Sequence, residues 1–210
     1  MEKTNSVDRK QHWEEVYRQK PEETVSWFQP RPEISLALLH AAGIRKDDAI
    51  IDVGGGASRL ADHLLAEGFT DVTVLDIAES ALKKAQERLG TAADNVNWIA
   101  ADVTQWLPQR KYRLWHDRAV FHFLTDPAAR AAYRRNLQTA LAAGGIAIIA
   151  SFAPDGPERC SGLSVRRYSP ESLTAEMGRE FRLEDQRSED HLTPAGKVQR
   201  FQYSVLEHRL

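Results

Sequence analysis

The residues best suited to chemistry in this chain lie in and around the segment AIIDVGGGAS, residues 49–58, where an apolar run meets three consecutive glycines. Glycine permits a tight turn with positive φ and lets backbone N–H groups approach a ligand with no Cβ in the way. A helical pattern follows, and a helix N-terminus favours anionic groups. The segment therefore predicts a loop that holds a nucleotide-like ligand.

Three carboxylates accompany this loop. Asp52 stands two residues before Gly54, Asp76 ends the run VTVLD, and Asp102 follows VNWIAA. If these runs are strands of one parallel sheet, the acids lie along its carboxyl edge, where open α/β sheets bind ligands. A dinucleotide fingerprint would need glycine at position 59, which is Arg59. The pattern disfavours NAD and FAD, and three acids suit a cationic nucleoside better than a pyrophosphate.

Over residues 49–152 these motifs and their spacing resemble the class I S-adenosylmethionine (SAM)-dependent methyltransferases. The resemblance implies that SAM is the cofactor and S-adenosylhomocysteine the product. It implies that Asp76 accepts hydrogen bonds from the ribose hydroxyls and that Ile77 packs on the adenine. The adenine amine is expected at Asp102, and the ring at the Val103 N–H. The methionine end is expected at Asp52, Gly54, Gly55, Gly56 and Ser58, where Ser58 replaces a third spaced glycine of many members.

The segment WHDRAVFHFL follows the predicted fourth strand and supplies the candidate catalytic residues. Methyl transfer is an in-line displacement, so the enzyme supplies alignment, water exclusion and a base for any protonated nucleophile. The resemblance places Asp117 and Arg118 beside the methyl group, as substrate and methionine contacts. Because a histidine ordinarily titrates near neutral pH, His122 is a candidate base, with a packed core histidine as the alternative. No N-P-P-Y occurs here, which argues against methylation of adenine or of glutamine amides.

Four aromatic residues precede the predicted sheet: Trp13, Tyr17, Trp27 and Phe28. Similar small methyltransferases carry a W…Y…SW(F/Y) segment that closes over the SAM site. We therefore expect a single domain in which residues 1–45 form a helical cover over a core of residues 46–210. Trp27 is expected at the cofactor and the other three rings at the acceptor. In the alternative interpretation, the rings only pack the N-terminal helices onto the core.

A long loop, FAPDGPERCSGLSVRRYS, follows the predicted fifth strand. Loops of this length in a compact domain are often functional. Beside the transferred methyl group, its side chains would shape a small acceptor pocket. The alternative is an unreactive cysteine and solvated arginines. The residues concerned are Cys160, Arg166, Arg167 and Tyr168.

The elements that must position these residues alternate as βαβ units, which predicts an α/β fold. We expect a Rossmann-like seven-stranded, mostly parallel sheet with an antiparallel last strand and helices on both faces. Helical spacing covers residues 33–42, 58–67, 79–89, 127–142 and 170–177. Strands are predicted at residues 49–53, 72–76, 96–100, 112–117, 145–152, 181–187 and 198–207.

Composition limits the function classes. With 210 residues, 42% of them hydrophobic, the chain can bury one core. The net charge of −2 disfavours nucleic-acid binding, which needs a basic surface to neutralise phosphates. Arg130, Arg134 and Arg135 are expected on a solvated helix face. The lone Cys160 and the polar N-terminus suit a reducing cytoplasm. The longest apolar run is too short to span a bilayer, and the scattered histidines support no metal site.

The sequence therefore predicts a cytoplasmic SAM-dependent methyltransferase that acts on a small molecule, as a monomer or homodimer. The lack of an obvious strong base favours a nucleophile that is already reactive near neutral pH, such as a thiol. A protein lysine methyltransferase is the alternative enzyme, because the N-terminal segment and the glycine loop also resemble those of small lysine methyltransferases. A non-catalytic SAM-binding regulator is the alternative outside enzymes.

Overall fold

The computed structural model describes residues 6–209. Six α-helices occur in this range: α1 (Ser6–Gln19), α2 (Glu33–Ala41), α3 (Leu60–Ala66), α4 (Glu79–Leu89), α5 (Pro127–Ala140) and α6 (Pro170–Met177). The strands are β1 (Ile50–Val53), β2 (Val72–Asp76), β3 (Val96–Ala100), β4 (Tyr112–Arg118), β5 (Leu141–Phe152), β6 (Arg159–Cys160), β7 (Leu163–Ser164), β8 (Phe181–Leu192) and β9 (Val198–His208). Short 3₁₀ helices cover Glu22–Thr24, Gly90–Asn95 and Phe121–Phe123.

Seven of these strands form one sheet in the order β3-β2-β1-β4-β5-β9-β8. Strands β1 to β5 are mutually parallel, and β9 pairs antiparallel with both β5 and β8. The predicted fold class is confirmed. The chain continues from β1 to β2 on one side and returns to β4 on the other side of β1. This reversal of strand order leaves a crevice at the carboxyl edge, which is where such sheets bind ligands.

The central strands are buried on both faces, as expected for apolar runs in a parallel sheet. Side chains alternate between the faces. Ile50, Leu114 and Ile148 pack on one face with α2 and α3, whereas Ile51 and Trp115 pack on the other with α5 and α6. This alternation decides which strand-end acids can reach a given cavity.

Three local features differ from the predicted elements. Helix α5 ends at Ala140, because β5 begins at Leu141 and its pairing with β4 shifts register before Ile146. Residues 159–164 contain a small β6–β7 hairpin in the segment predicted as a loop. Arg130 is buried, not solvated, because its guanidinium bonds Glu176 and two backbone carbonyls.

No helix within residues 6–209 is long and apolar enough to cross a membrane.

Candidate active site

A cleft opens at the carboxyl edge of the sheet, above β1, β2 and β4 and beneath α1. Because the parallel strands end together, residues far apart in sequence share its walls. The strand ends contribute Val53, Gly54, Leu75, Asp76, Ile77, Ala101, Asp102, Val103, Arg118, Ala119 and Val120. The other walls are Arg9, Trp13, Tyr17, Trp27, Phe123, Leu124 and Cys160.

The glycine loop is packed too closely for any other residue type. Gly54 and Gly56 have φ of +68° and +40°, in the left-handed region that favours glycine. A Cβ on Gly55 would lie 2.6 Å from Asp52 Oδ2, and one on Gly56 would lie 2.6 Å from Asp76 Oδ2. The glycines thus bring the backbone directly against two carboxylates.

Asp76 fits the ribose role that the resemblance implies. It is buried, and its Oδ1 accepts the Ala78 N–H at 2.8 Å. Within residues 6–209, no hydrogen bond engages its Oδ2. Burial, together with the nearby Asp52 carboxylate, raises the pKa of Asp76 to about 7. Hydroxyl donors of a ligand would supply the bonds that this carboxylate lacks.

Ile77, Val103 and Asp102, where the resemblance implies the adenine, all line the cleft. Oδ1 of Asp102 accepts from Thr104, and Oδ2 accepts from Arg9 Nη2 at 2.8 Å. Burial opposes ionisation of Asp102, but the bonds from Arg9 and Thr104 outweigh it and hold its pKa below the ordinary value. An adenine amine must therefore share Asp102 with Arg9, a partner that sequence reasoning missed.

A second cavity lies on the other side of the glycine loop and shares Tyr17, Trp27, Gly54 and Arg118 with the first. Its remaining walls combine apolar side chains with charged ones, which are the cationic Arg59 and the acidic Glu22 and Asp52. The two cavities together suit an adenosine joined to an amino-acid tail. The further wall residues are Val25, Phe28, Gln29, Pro32, Ser35, Gly55, Ala57, Ser58 and His116.

Arg118 is held between the two cavities by a buried network. Its Nε donates to Tyr203 Oη at 2.9 Å, its Nη1 to the Trp27 carbonyl at 3.1 Å, and its Nη2 to Glu189 at 3.3 Å. Glu189 also accepts from Tyr203 and from Gln29. This network ties the segment around Trp27 to the sheet.

Aromatic rings from the N-terminal segment cover the cleft. The Trp13 ring lies 5.6 Å from Trp27 and 5.0 Å from Phe123, both edge to face, and Tyr17 lies 6.1 Å from Trp27. Helix α1 is anchored by Glu14, whose carboxylate accepts the Glu79 N–H at the start of α4 at 2.7 Å. The spacing of Arg9, Trp13 and Tyr17 places Arg9 on the same helical face as the two rings, although it does not reveal Asp102 as its partner.

Asp117 and His122 do not reach the cleft, which removes the basis for the predicted catalytic roles. Asp117 points to the opposite face of the sheet and accepts bonds from Tyr133 at 2.6 Å and from the Val120 and Phe121 amides. Burial raises its pKa to about 6, and its bonds from the two amides stabilise the turn after β4. His122 is fully buried, and burial together with Arg118 lowers its pKa to about 3.

Of the acceptor residues expected from the loop after β5, the structure places one in the cleft and two outside it. Cys160 lines the cleft, but burial raises the pKa of its thiol to about 11. Tyr168 is buried against Phe121 in the core on the far face, and Arg166 is exposed above it. Neither lines the cleft. Phe28 lines the second cavity, where Arg59 lies over its ring.

Comparison with known proteins agrees with this geometry. A family model described as a methyltransferase domain matches residues 50–145. The eEF1A lysine and N-terminal methyltransferase of Mus musculus is 27% identical over 94 residues, which are 45% of this chain and 13% of that protein. The chain thus spans only a small part of the length of this curated relative.

Solved structures extend the likeness to nearly the whole fold. One, from work on the conversion of a disulfide bond into a thioacetal group during echinomycin biosynthesis, has a TM-score of 0.75 at 19% identity and covers 95% of this chain and 93% of that one. The 1,6-didemethyltoxoflavin-N1-methyltransferase of Burkholderia thailandensis, solved with S-adenosylhomocysteine, has a TM-score of 0.69 at 20% identity and covers 97% and 85%. The glycine loop, strand-end acids and sheet order agree with a SAM-dependent methyltransferase domain, which the family model matches over residues 50–145, and SAM is the cofactor.

Proposed function

We propose that this protein transfers a methyl group from SAM to a small-molecule nucleophile, with a thiol as the preferred acceptor. The observation that carries the proposal is the ionisation chemistry of the cleft. Within the described chain, the carboxylates that line it are Asp76 and Asp102, which we assign to the ribose and the adenine. The other proton-bearing groups there, Tyr17 and Cys160, have pKa values raised by burial.

Once Asp76 is engaged by the ribose and Asp102 by Arg9 and the adenine, no remaining cleft-lining side chain of the described residues is suited to remove a proton near neutral pH. A primary ammonium acceptor needs such a base, whereas a thiol ionises near pH 8.5 and provides its own nucleophile. When bound, SAM supplies an electrophilic methyl group, whose bond to sulfur breaks as the acceptor's lone pair bonds to carbon. The cleft contributes alignment and exclusion of water.

We further propose that α1 and the segment through Pro30 act as a cover over a single domain. Trp13, Tyr17 and Trp27 form its inner surface. Aromatic faces stabilise a nearby cation by about 0.5–2 kcal/mol, depending on desolvation. A sulfonium bound at the junction of the two cavities would lie among these rings.

The test is incubation with methyl-labelled SAM and a panel of thiols, amines, carboxylates and protein extract. We expect label in small thiols, with a rate that rises with pH as the acceptor thiol ionises. Asp76→Ala is the matched control, because weaker cofactor binding should lower the labelling of every acceptor to the same extent when SAM is not saturating. Label in amines or carboxylates but not in thiols would contradict the thiol assignment.

Protein methylation is the second candidate, because the Mus musculus relative is a lysine and N-terminal methyltransferase. It predicts label in the protein extract that resists removal of small molecules. The ring packing argues against it, since Trp13 lies edge to face with Trp27 and Phe123 in the cleft wall, which narrows the access that an extended peptide would need. Binding of SAM with no label in any fraction would instead indicate a non-catalytic regulator.

A further inference from the structure

A buried chain of three side chains lies behind the glycine loop. Asp52 Oδ1 is 2.7 Å from His116 Nδ1, and His116 Nε2 is 2.9 Å from Ser35 Oγ. The three residues are 2%, 3% and 1% exposed. Buried polar groups are retained where they are fully bonded, and here each member of the chain has a partner.

The sheet register creates this arrangement. Asp52 on β1 and His116 on β4 are direct partners across the parallel pair, so their side chains leave the same face. Helix α2 covers that face and brings Ser35 to the far side of the imidazole. The order of contacts, hydroxyl to imidazole to carboxylate, fixes the ring orientation and leaves Asp52 little rotational freedom.

All three residues line the second cavity. Oδ1 of Asp52 is used by His116, while Oδ2 is directed at the glycine loop and has no hydrogen-bond donor within residues 6–209. The other charged groups on this cavity are Glu22, Arg59 and Arg118. Arg59 is paired with Glu22, and Arg118 with Glu189. Asp52 is therefore the carboxylate in this cavity that lacks a cationic partner from Lys or Arg among the described residues.

We propose that His116, held by Ser35, is a positioning residue that aims Asp52 at the cationic amino group of the cofactor's amino-acid tail. The proposal rests on the assignment of the cleft to SAM. A hydrogen bond from Nδ1 fixes one carboxylate oxygen, so the other stays directed at the glycine loop, in the wall of the second cavity. Outer partners of this kind orient the groups that touch a ligand and are felt in its affinity. His116 thereby acts through Asp52 and touches no reacting atom.

The experiment compares two ligands by calorimetry. S-adenosylhomocysteine carries the amino-acid tail, and 5′-methylthioadenosine lacks it. In His116→Leu we expect affinity for S-adenosylhomocysteine to fall by about tenfold, the scale of a hydrogen bond to a charged group. Affinity for methylthioadenosine should change by less than about twofold, because its contacts lie in the first cavity. His116→Asn, whose amide can replace Nδ1 as the donor, should recover most of the loss.

Two further variants keep the test decisive. Ser35→Ala should also weaken binding of S-adenosylhomocysteine relative to methylthioadenosine, and it carries less risk to folding than His116→Leu. Tyr133→Phe is the matched control, since it removes a buried hydrogen bond on the opposite face of the sheet and should leave that ratio unchanged. Equal losses for both ligands, or no loss in His116→Leu and Ser35→Ala, would overturn the positioning role. If the parent protein binds neither ligand, the cofactor assignment itself is wrong.

Discussion

The acidic residues at the carboxyl edge of the sheet share a residue type but differ in environment. Asp52 is bonded to a histidine, Asp76 has no side-chain donor among residues 6–209, and Asp102 is paired with Arg9. Asp117 faces the opposite core and is bonded to Tyr133. The environment of each carboxylate, set by its sheet face and its donors, decides whether it can bind a ligand.

At this scale we predict that Asp76→Ala weakens binding of S-adenosylhomocysteine by about 1–3 kcal/mol, the range for lost hydrogen bonds to a charged group. The fold should persist, because the carboxylate accepts one backbone N–H and contributes little to the core. Calorimetry measures the affinity, and circular dichroism checks the fold. Parental affinity in a natively folded variant would exclude the ribose role.

Binding should also depend on pH through Asp76. Its pKa in the free protein is raised to about 7 by burial. Ribose hydroxyls donate to the ionised form, so the pKa falls on binding, and affinity should decline as the pH drops below about 7. Because one proton is involved, the affinity can fall by at most about tenfold for each pH unit. Affinity measured between pH 5.5 and 8.5 checks this, and Asp76→Asn should lose the dependence. A parental profile that is flat over this range would contradict it.

At the scale of elements, the glycine loop is constrained by what it touches. Gly56→Ala would place a Cβ 2.6 Å from Asp76 Oδ2 and 3.1 Å from the Tyr17 hydroxyl, at a φ of +40°. We expect unfolding to become easier by about 1–3 kcal/mol, with weaker binding of S-adenosylhomocysteine. Gly43→Ala is the matched control: its φ is +67°, but nothing lies within 4 Å of the added Cβ. Gly43→Ala should lower stability but leave the affinity for S-adenosylhomocysteine unchanged. Similar affinity losses in both variants would show that loop contacts with Asp76 are not responsible.

The N-terminal cover is the second element with a testable role. Deleting residues 1–30 removes Trp13, Tyr17 and Trp27 but no strand of the sheet, so we expect a folded core whose turnover falls more than its cofactor affinity. Water exclusion and one acceptor wall are lost, while Asp76 and Asp102 remain. Rates and affinities of the truncated protein check this.

Hydrogen exchange of the full chain provides an independent measurement. The amides of residues 13–28 should gain protection when S-adenosylhomocysteine binds. Slow exchange there in the free protein, unchanged by ligand, would mean that the rings are ordinary core packing.

At the scale of the whole molecule, two cores on opposite faces of one sheet hold the strand ends in place. The carboxyl edge is then a rigid platform onto which α1 and the β6–β7 hairpin add the remaining walls of the cleft. Arg118 and Glu189 join this platform to the β8–β9 hairpin and to Trp27. We therefore assign adenosine recognition to the platform and propose that the added walls recognise the acceptor.

Ligand choice tests this whole-molecule assignment. We expect S-adenosylhomocysteine to bind and to stabilise the fold by about 2.7 kcal/mol at a hundredfold excess over its dissociation constant. NAD should do neither, because Arg59 occupies the position where a dinucleotide loop needs glycine. Thermal unfolding with each ligand, followed by calorimetry, measures both effects. Tighter binding of NAD than of S-adenosylhomocysteine would contradict the assignment.

The sequence by itself determined the alternation of strands and helices, the glycine loop and the order of Asp52, Asp76 and Asp102 along the chain. These features are local, because apolar periodicity and the conformational freedom of glycine depend on a few neighbouring residues. The parallel sheet then followed from βαβ connections, and the carboxyl edge became the expected ligand site.

Only the tertiary structure decided which side chains meet at that edge. Asp117 and His116 are adjacent in sequence, yet one faces the α5 core and the other reaches Asp52, because side chains alternate across a strand and register sets their partners. Packing also buried His122. It brought Arg9 to Asp102, across 93 positions of sequence. Such contacts depend on how elements dock, and no local pattern encodes the docking.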